Sequence, residues 1–131
     1  MRVFRRRRTS SLDRTLALGM VAGRVGIGSA ALLATKPALK GLGLDQTNTS
    51  ARVLGRMAGA RDIALAALQL QSIDDPDRLR DATLAAVAAD AADAAIFLAA
   101  GRHPELRRAG AMSAPLAVAA VVGGLWLADR L

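Results

Sequence analysis

At 131 residues without a cysteine, the chain has the length of one small domain, and disulfide scaffolds and thiolate metal sites are excluded. Apolar residues make up 53% but aromatics only 2%, so alanine, a strong helix former of little bulk, carries much of the apolar character. The net charge of +7 suits contact with anionic lipid or nucleic acid, although so few aromatics leave little to stack on bases.

The chain opens on a basic cluster, Arg2, Arg5, Arg6, Arg7 and Arg8, followed by Arg14. Next to an apolar stretch, such a cluster reads first as a topology determinant that keeps residues 1–11 cytoplasmic, then as a lipid contact or a nucleic-acid arm. The apolar stretch runs over residues 12–34, interrupted by Arg24. Gly19-x-x-x-Gly23 has the small-residue spacing that lets two membrane helices touch. Arg24 breaks the continuity that an export signal requires, and no convincing small-x-small cleavage site follows, so the segment is read as retained.

Pro37, Gly41 and Gly43 predict a turn with a short apolar piece at the membrane interface, followed by a polar loop over 45–50. Asn48-Thr49-Ser50 fits the glycosylation pattern, and Thr49 or Ser50 is placed to cap the next helix. That helix is predicted over 51–72, with Gly55 and Gly59 as small contact residues and Arg61-Asp62 near its middle. Asp75 as cap and Pro76 at the first helical position open a third helix over 76–100, which carries Asp90 and Asp93 three residues apart on one face. Gly101 stops it, and a last helix is predicted over 104–130. From Ala109 to Ala128 no side chain ionises; at about 1.5 Å per residue this spans roughly 30 Å, the thickness of a bilayer's hydrocarbon core. Trp126 and Arg130 mark its far end as interface anchors do.

The almost complete lack of β signal and the short connections predict an all-α, four-helix up-and-down transmembrane bundle with both termini cytoplasmic. In that setting each buried charge costs about 2.5–3.5 kcal/mol, so Arg24, Arg61, Asp62, Asp90 and Asp93 are expected to pair inside the bundle. Arg61 and Asp62 lie about 100° apart on a helix, so one of them must reach another helix. Such a cluster either fixes helix register or forms a functional polar site, such as a proton relay or a small-ligand pocket. A soluble bundle, with these charges facing water and nucleic acid as its ligand, is the remaining reading. His103 stands alone as the only histidine, so no metal site is expected, and nothing resembles a nucleophile with its base; neither a cofactor nor a catalytic residue is predicted.

The stretch Arg56-Met57-Ala58-Gly59-Ala60-Arg61-Asp62-Ile63-Ala64-Leu65 resembles a family of small four-helix bacterial membrane proteins of unknown function. In that family a basic residue precedes Gly-x-Arg-Asp on the second helix, and an Asp lies on the third, where this chain has Asp90 and Asp93. The family pattern continues to a glycine four residues after the Asp; here Ala66 stands there. The resemblance implies four membrane helices and no particular reaction. The Gly- and Ala-rich composition and the absence of a catalytic constellation predict a scaffold or accessory subunit, whose expected partners are the lipid bilayer and either a second copy or a larger membrane complex; a small proton-coupled transporter is the alternative.

Overall fold

The computed structural model describes residues 9–131; the arginine cluster at 2–8 lies outside them. The described residues form helices and no strand: α1 (Ser11–Leu33), α2 (Thr35–Gly41), α3 (Thr49–Gln71), α4 (Pro76–Ala100), a 3-10 turn (Pro104–Leu106) and α5 (Arg107–Arg130).

Side-chain caps set the starts of α1, α3 and α4; α5 has none and begins at Arg107, after the 3-10 turn, rather than at 104. The Ser10 hydroxyl accepts from the Asp13 amide to open α1, and the Asp75 carboxylate accepts from the Arg78 amide to open α4, with Pro76 in the first turn. Helix α3 starts earlier than predicted, because Asn48, rather than Thr49 or Ser50, is its cap: its side-chain oxygen accepts from the Ala51 amide at 3.0 Å. The expected turn around Pro37 is a helix instead. Pro37 is the third residue of α2, where a backbone N–H has no intrahelical acceptor, so the missing donor costs nothing there. Among the described residues the architecture thus has five α-helices, four of them long, rather than four in all.

The tightest pairs are α1 with α3 and α4 with α5; α3–α4 and α1–α5 contacts are sparser. Glycine permits the close approaches. A Cβ on Gly59 would lie 2.7 Å from the Gly28 carbonyl oxygen, and one on Gly110 would lie 2.6 Å from the Gly101 Cα. Gly55 touches Leu39 of α2. By contrast, a Cβ on Gly19 or Gly23 would meet nothing within 4 Å beyond its own helix. The face that α1 buries runs through Asp13, Ala17, Val21, Arg24 and Gly28, and Gly19 and Gly23 lie off that stripe. The close α1–α3 contact is therefore Gly28–Gly59, not the Gly19-x-x-x-Gly23 pair.

Helix α2 crosses one end of the bundle. Leu39 and Thr35 pack on α3 at Gly55, and the Leu42 carbonyl accepts from Ser113 of α5 at 3.4 Å. A small apolar core of Ala17, Ile73, Leu79 and Leu127 fills the opposite end.

Apolar residues such as Leu39, Ile73, Leu79 and Leu127 are buried, but the pattern departs from that of a water-soluble domain in two respects. Two of the four largest fully buried side chains, Gln69 and Thr83, are polar, whereas Leu33 is 88% exposed and Leu54, Met57 and Ile96 are each 63% exposed. Water-soluble folds bury their large apolar side chains and rarely expose contiguous apolar surface. Among the described residues three helical segments are long and apolar enough to cross a membrane: Ser11–Leu33, Pro76–Ala100 and Pro104–Arg130. The expected fourth, α3, has the length, but Arg52, Arg56, Arg61 and Asp62 keep it out of that group.

Candidate functional site

Each long helix repeats its inward face every three to four residues, and three of them bring a charge to the same level. Arg24 comes from α1, Arg61 and Asp62 from α3, and Asp90 and Asp93 from α4. Arg24 and Asp90 each retain only 9% of their side-chain exposure. The Arg24 Nη2 donates to Asp90 Oδ2, and its Nη1 lies 3.5 Å from Asp62 Oδ1. Arg61 grips Asp93 with both terminal nitrogens, at 2.9 and 2.6 Å, the bidentate fork that makes arginine–carboxylate pairs strong and directional. Its Nη2 also lies 3.3 Å from Asp62 Oδ1. Asp62 is therefore the node that joins the two guanidiniums.

As neighbours on a helix, Arg61 and Asp62 diverge: Arg61 reaches α4 and Asp62 faces Arg24 of α1. Exposure rises along the network from Arg24 and Asp90 at 9%, through Asp62 at 14%, to Asp93 at 28% and Arg61 at 36%. The network starts in the bundle interior and ends at the α3–α4 seam. It holds two guanidiniums and three carboxylates, so with all groups ionised it carries one excess negative charge. The Nε donors of Arg24 and Arg61 are buried without a partner. Helix α5 adds no charge here; among the described residues its polar contributions lie at its ends.

Three further polar pairs join the helices beyond this network, one fully buried and two partly exposed. Gln69 Nε2 donates to Thr83 Oγ1 at 3.2 Å, fully buried between α3 and α4, and Gln69 Oε1 has no partner. Asp13 accepts from Arg130 Nε at 2.8 Å, tying the start of α1 to the end of α5, where Arg130 also lies over the Trp126 ring. Arg56 Nε donates to the Thr35 hydroxyl at 3.2 Å, tying α3 to α2. A signal for the first pair existed in spacing: Gln69 follows Asp62 by seven residues and Thr83 precedes Asp90 by seven, which keeps each on its helix's charged face.

His103 is exposed in the turn before Pro104. Among the described residues no group of His, Cys, Asp and Glu converges as metal ligands.

Compared with models of known protein families, with characterised proteins and with solved structures, the chain matches none.

Proposed function

We propose that this chain is a multi-pass integral membrane protein in which α1, α3, α4 and α5 form a four-helix up-and-down transmembrane bundle. Its role is that of a non-enzymatic scaffold or accessory subunit, and the Arg24–Asp62–Asp90 and Arg61–Asp93 network fixes the register of its helices. The observation that carries this reading is the pairing of buried charged and amide side chains with many large apolar side chains left exposed. A bilayer is the solvent in which that distribution is favourable. Helix α3 joins as the fourth span because α1 and α4 neutralise Arg61 and Asp62.

The arginine cluster at 2–8 supports a cytoplasmic N-terminus, and an even number of spans places residue 131 on the same side. The Gly59-x-Arg61-Asp62 sequence supports kinship with the small four-helix bacterial membrane proteins that it resembles. Gly19 and Gly23, outward and clear of the other helices, offer a small-residue face to a second copy or a larger membrane complex.

The test is alkaline carbonate extraction of membranes that hold the full-length chain, with a reporter on each terminus. The proposal expects the protein in the membrane pellet with both reporters on the cytoplasmic side. Release into the carbonate supernatant, or reporters on opposite sides, contradicts it.

One observation favours a second reading. The excess carboxylate in the network is what a proton-coupled transporter needs, with Asp62, Asp90 and Asp93 as carriers. Proton-driven solute flux in liposomes that is abolished by Asp90→Asn together with Asp93→Asn supports that reading; flux that survives both substitutions removes it.

A further inference from the structure

The arginines of this fold fall into two sets. Arg14, Arg24, Arg61, Arg78 and Arg130 each have a carboxylate within 4 Å. Arg52 and Arg56, like Arg80, Arg102, Arg107 and Arg108, have none among the described residues. Arg52 Nη2 donates to the Thr49 hydroxyl at 3.0 Å, and Arg56 Nε donates to Thr35. A guanidinium keeps its charge in any protein setting, so these two are positioned by neutral hydroxyls and have no counter-charge. The Arg52 Nε is moreover a buried donor without a partner.

Arg52 lines a concavity of about 420 Å³ between α2, the loop after it and the first turns of α3. The other lining residues are Lys36, Gln46 and Thr47. Two cations thus meet in one hollow with no carboxylate in its wall. Asp45, the neighbouring acid, is turned onto Thr47, accepting from its amide at 2.8 Å and from its hydroxyl at 2.7 Å. That turn and the Asn48 cap hold the loop against α3.

We infer that this hollow binds a phosphate group. The planar fork of Arg52 matches paired phosphate oxygens, Lys36 supplies a second positive charge from another element, and the Gln46 carboxamide adds a neutral donor. Two sources carry that chemistry: a lipid headgroup, because the hollow lies at the end of the bundle that α2 covers, and free phosphate. The inference goes beyond the membrane proposal and is tested separately from it.

The experiment uses the full-length protein in dodecyl maltoside micelles and reads thermal unfolding during two titrations, one with inorganic phosphate and one with phosphatidylglycerol. The wild-type melting temperature rises saturably in at least one of them, and added salt weakens the response. Arg52→Gln and Lys36→Gln each weaken the apparent affinity by about tenfold or more, whereas Arg102→Gln leaves it unchanged. A response to phosphate alone identifies a free-phosphate site, and a response to phosphatidylglycerol alone identifies a headgroup site. No response to either ligand overturns the inference. So does a response that Lys36→Gln leaves intact; Lys36 is exposed, so that variant keeps the fold even where Arg52→Gln disturbs the Thr49 contact. Carbonate extraction scores the membrane proposal independently of either titration.

Discussion

Arg24 of α1 lies between two carboxylates on two other helices, donating to Asp90 of α4 while its second terminal nitrogen faces Asp62 of α3. One side chain therefore couples three helices. Arg24→Lys keeps the charge but replaces a rigid fork with a single point charge that serves one carboxylate well. We expect that substitution to cost about 1–3 kcal/mol of unfolding free energy in a bilayer mimetic, read by chemical denaturation. A cost below the error of the measurement would show that the fork geometry is irrelevant.

The glycines separate by environment. Gly59→Ala places a methyl 2.7 Å from the Gly28 carbonyl oxygen and 2.9 Å from the Ala31 Cβ, so α1 and α3 must part. The expected cost is about 1–3 kcal/mol, as for other overpacked contacts. Gly19→Ala meets nothing within 4 Å and replaces a helical glycine, so the isolated protein gains about 0.5–1 kcal/mol. If the Gly19 face holds a second copy, the same variant lowers dimer content in detergent, measured by light scattering.

Between the charged network and the apolar core, Gln69 and Thr83 are each fully buried and depend on each other. Thr83→Val leaves the Gln69 amide without its acceptor, an expected loss of about 1–3 kcal/mol. Adding Gln69→Leu to Thr83→Val removes both polar groups and restores most of that loss. A double variant as unstable as the single one would mean that packing, not hydrogen bonding, governs the site.

Which parts of this were legible in the sequence follows from period and charge. The three apolar segments and the Asp75–Pro76 boundary came from local rules of composition and capping; α1 and α4 begin at side-chain caps, whereas α5 begins at Arg107, after a 3-10 turn and without one. The five interior charges stood out because each interrupts an apolar run. Helix α2 was hidden because Pro37 looks like a breaker unless its first-turn position is known. The Gly28–Gly59 contact was hidden for a different reason: α1 holds four glycines, and only the packing partner decides which of them faces it. Asp13–Arg130 joins residues at opposite ends of the chain, and no local pattern brings them together.

At the loop before α3, hydrogen bonds from the Thr47 hydroxyl and then the Thr47 amide hold the Asp45 carboxyl below its usual range. A depressed folded-state pKa stabilises the fold above the unfolded value of about 3.9, and the contribution is lost as pH falls through the folded value. Thr47→Val removes the hydroxyl donor, so the Asp45 midpoint moves up toward the ordinary carboxylate value in an NMR titration. An unchanged midpoint would show that the amide hydrogen bond alone sets it.

The central claim is that a buried ion network, not apolar packing alone, fixes the helices of a membrane bundle. A double-mutant cycle on Arg24 and Asp90, with Arg24→Met and Asp90→Leu in the full-length protein in bicelles, tests it most directly. Arg24→Met strands the buried Asp90 and is expected to cost about 3–5 kcal/mol, whereas Asp90→Leu leaves Arg24 facing Asp62 and is expected to cost less. The double variant strands one charge fewer, so its cost should fall short of the sum by about 1–3 kcal/mol or more. Single costs that add within about 0.5 kcal/mol would show no coupling between the two side chains and would contradict the account.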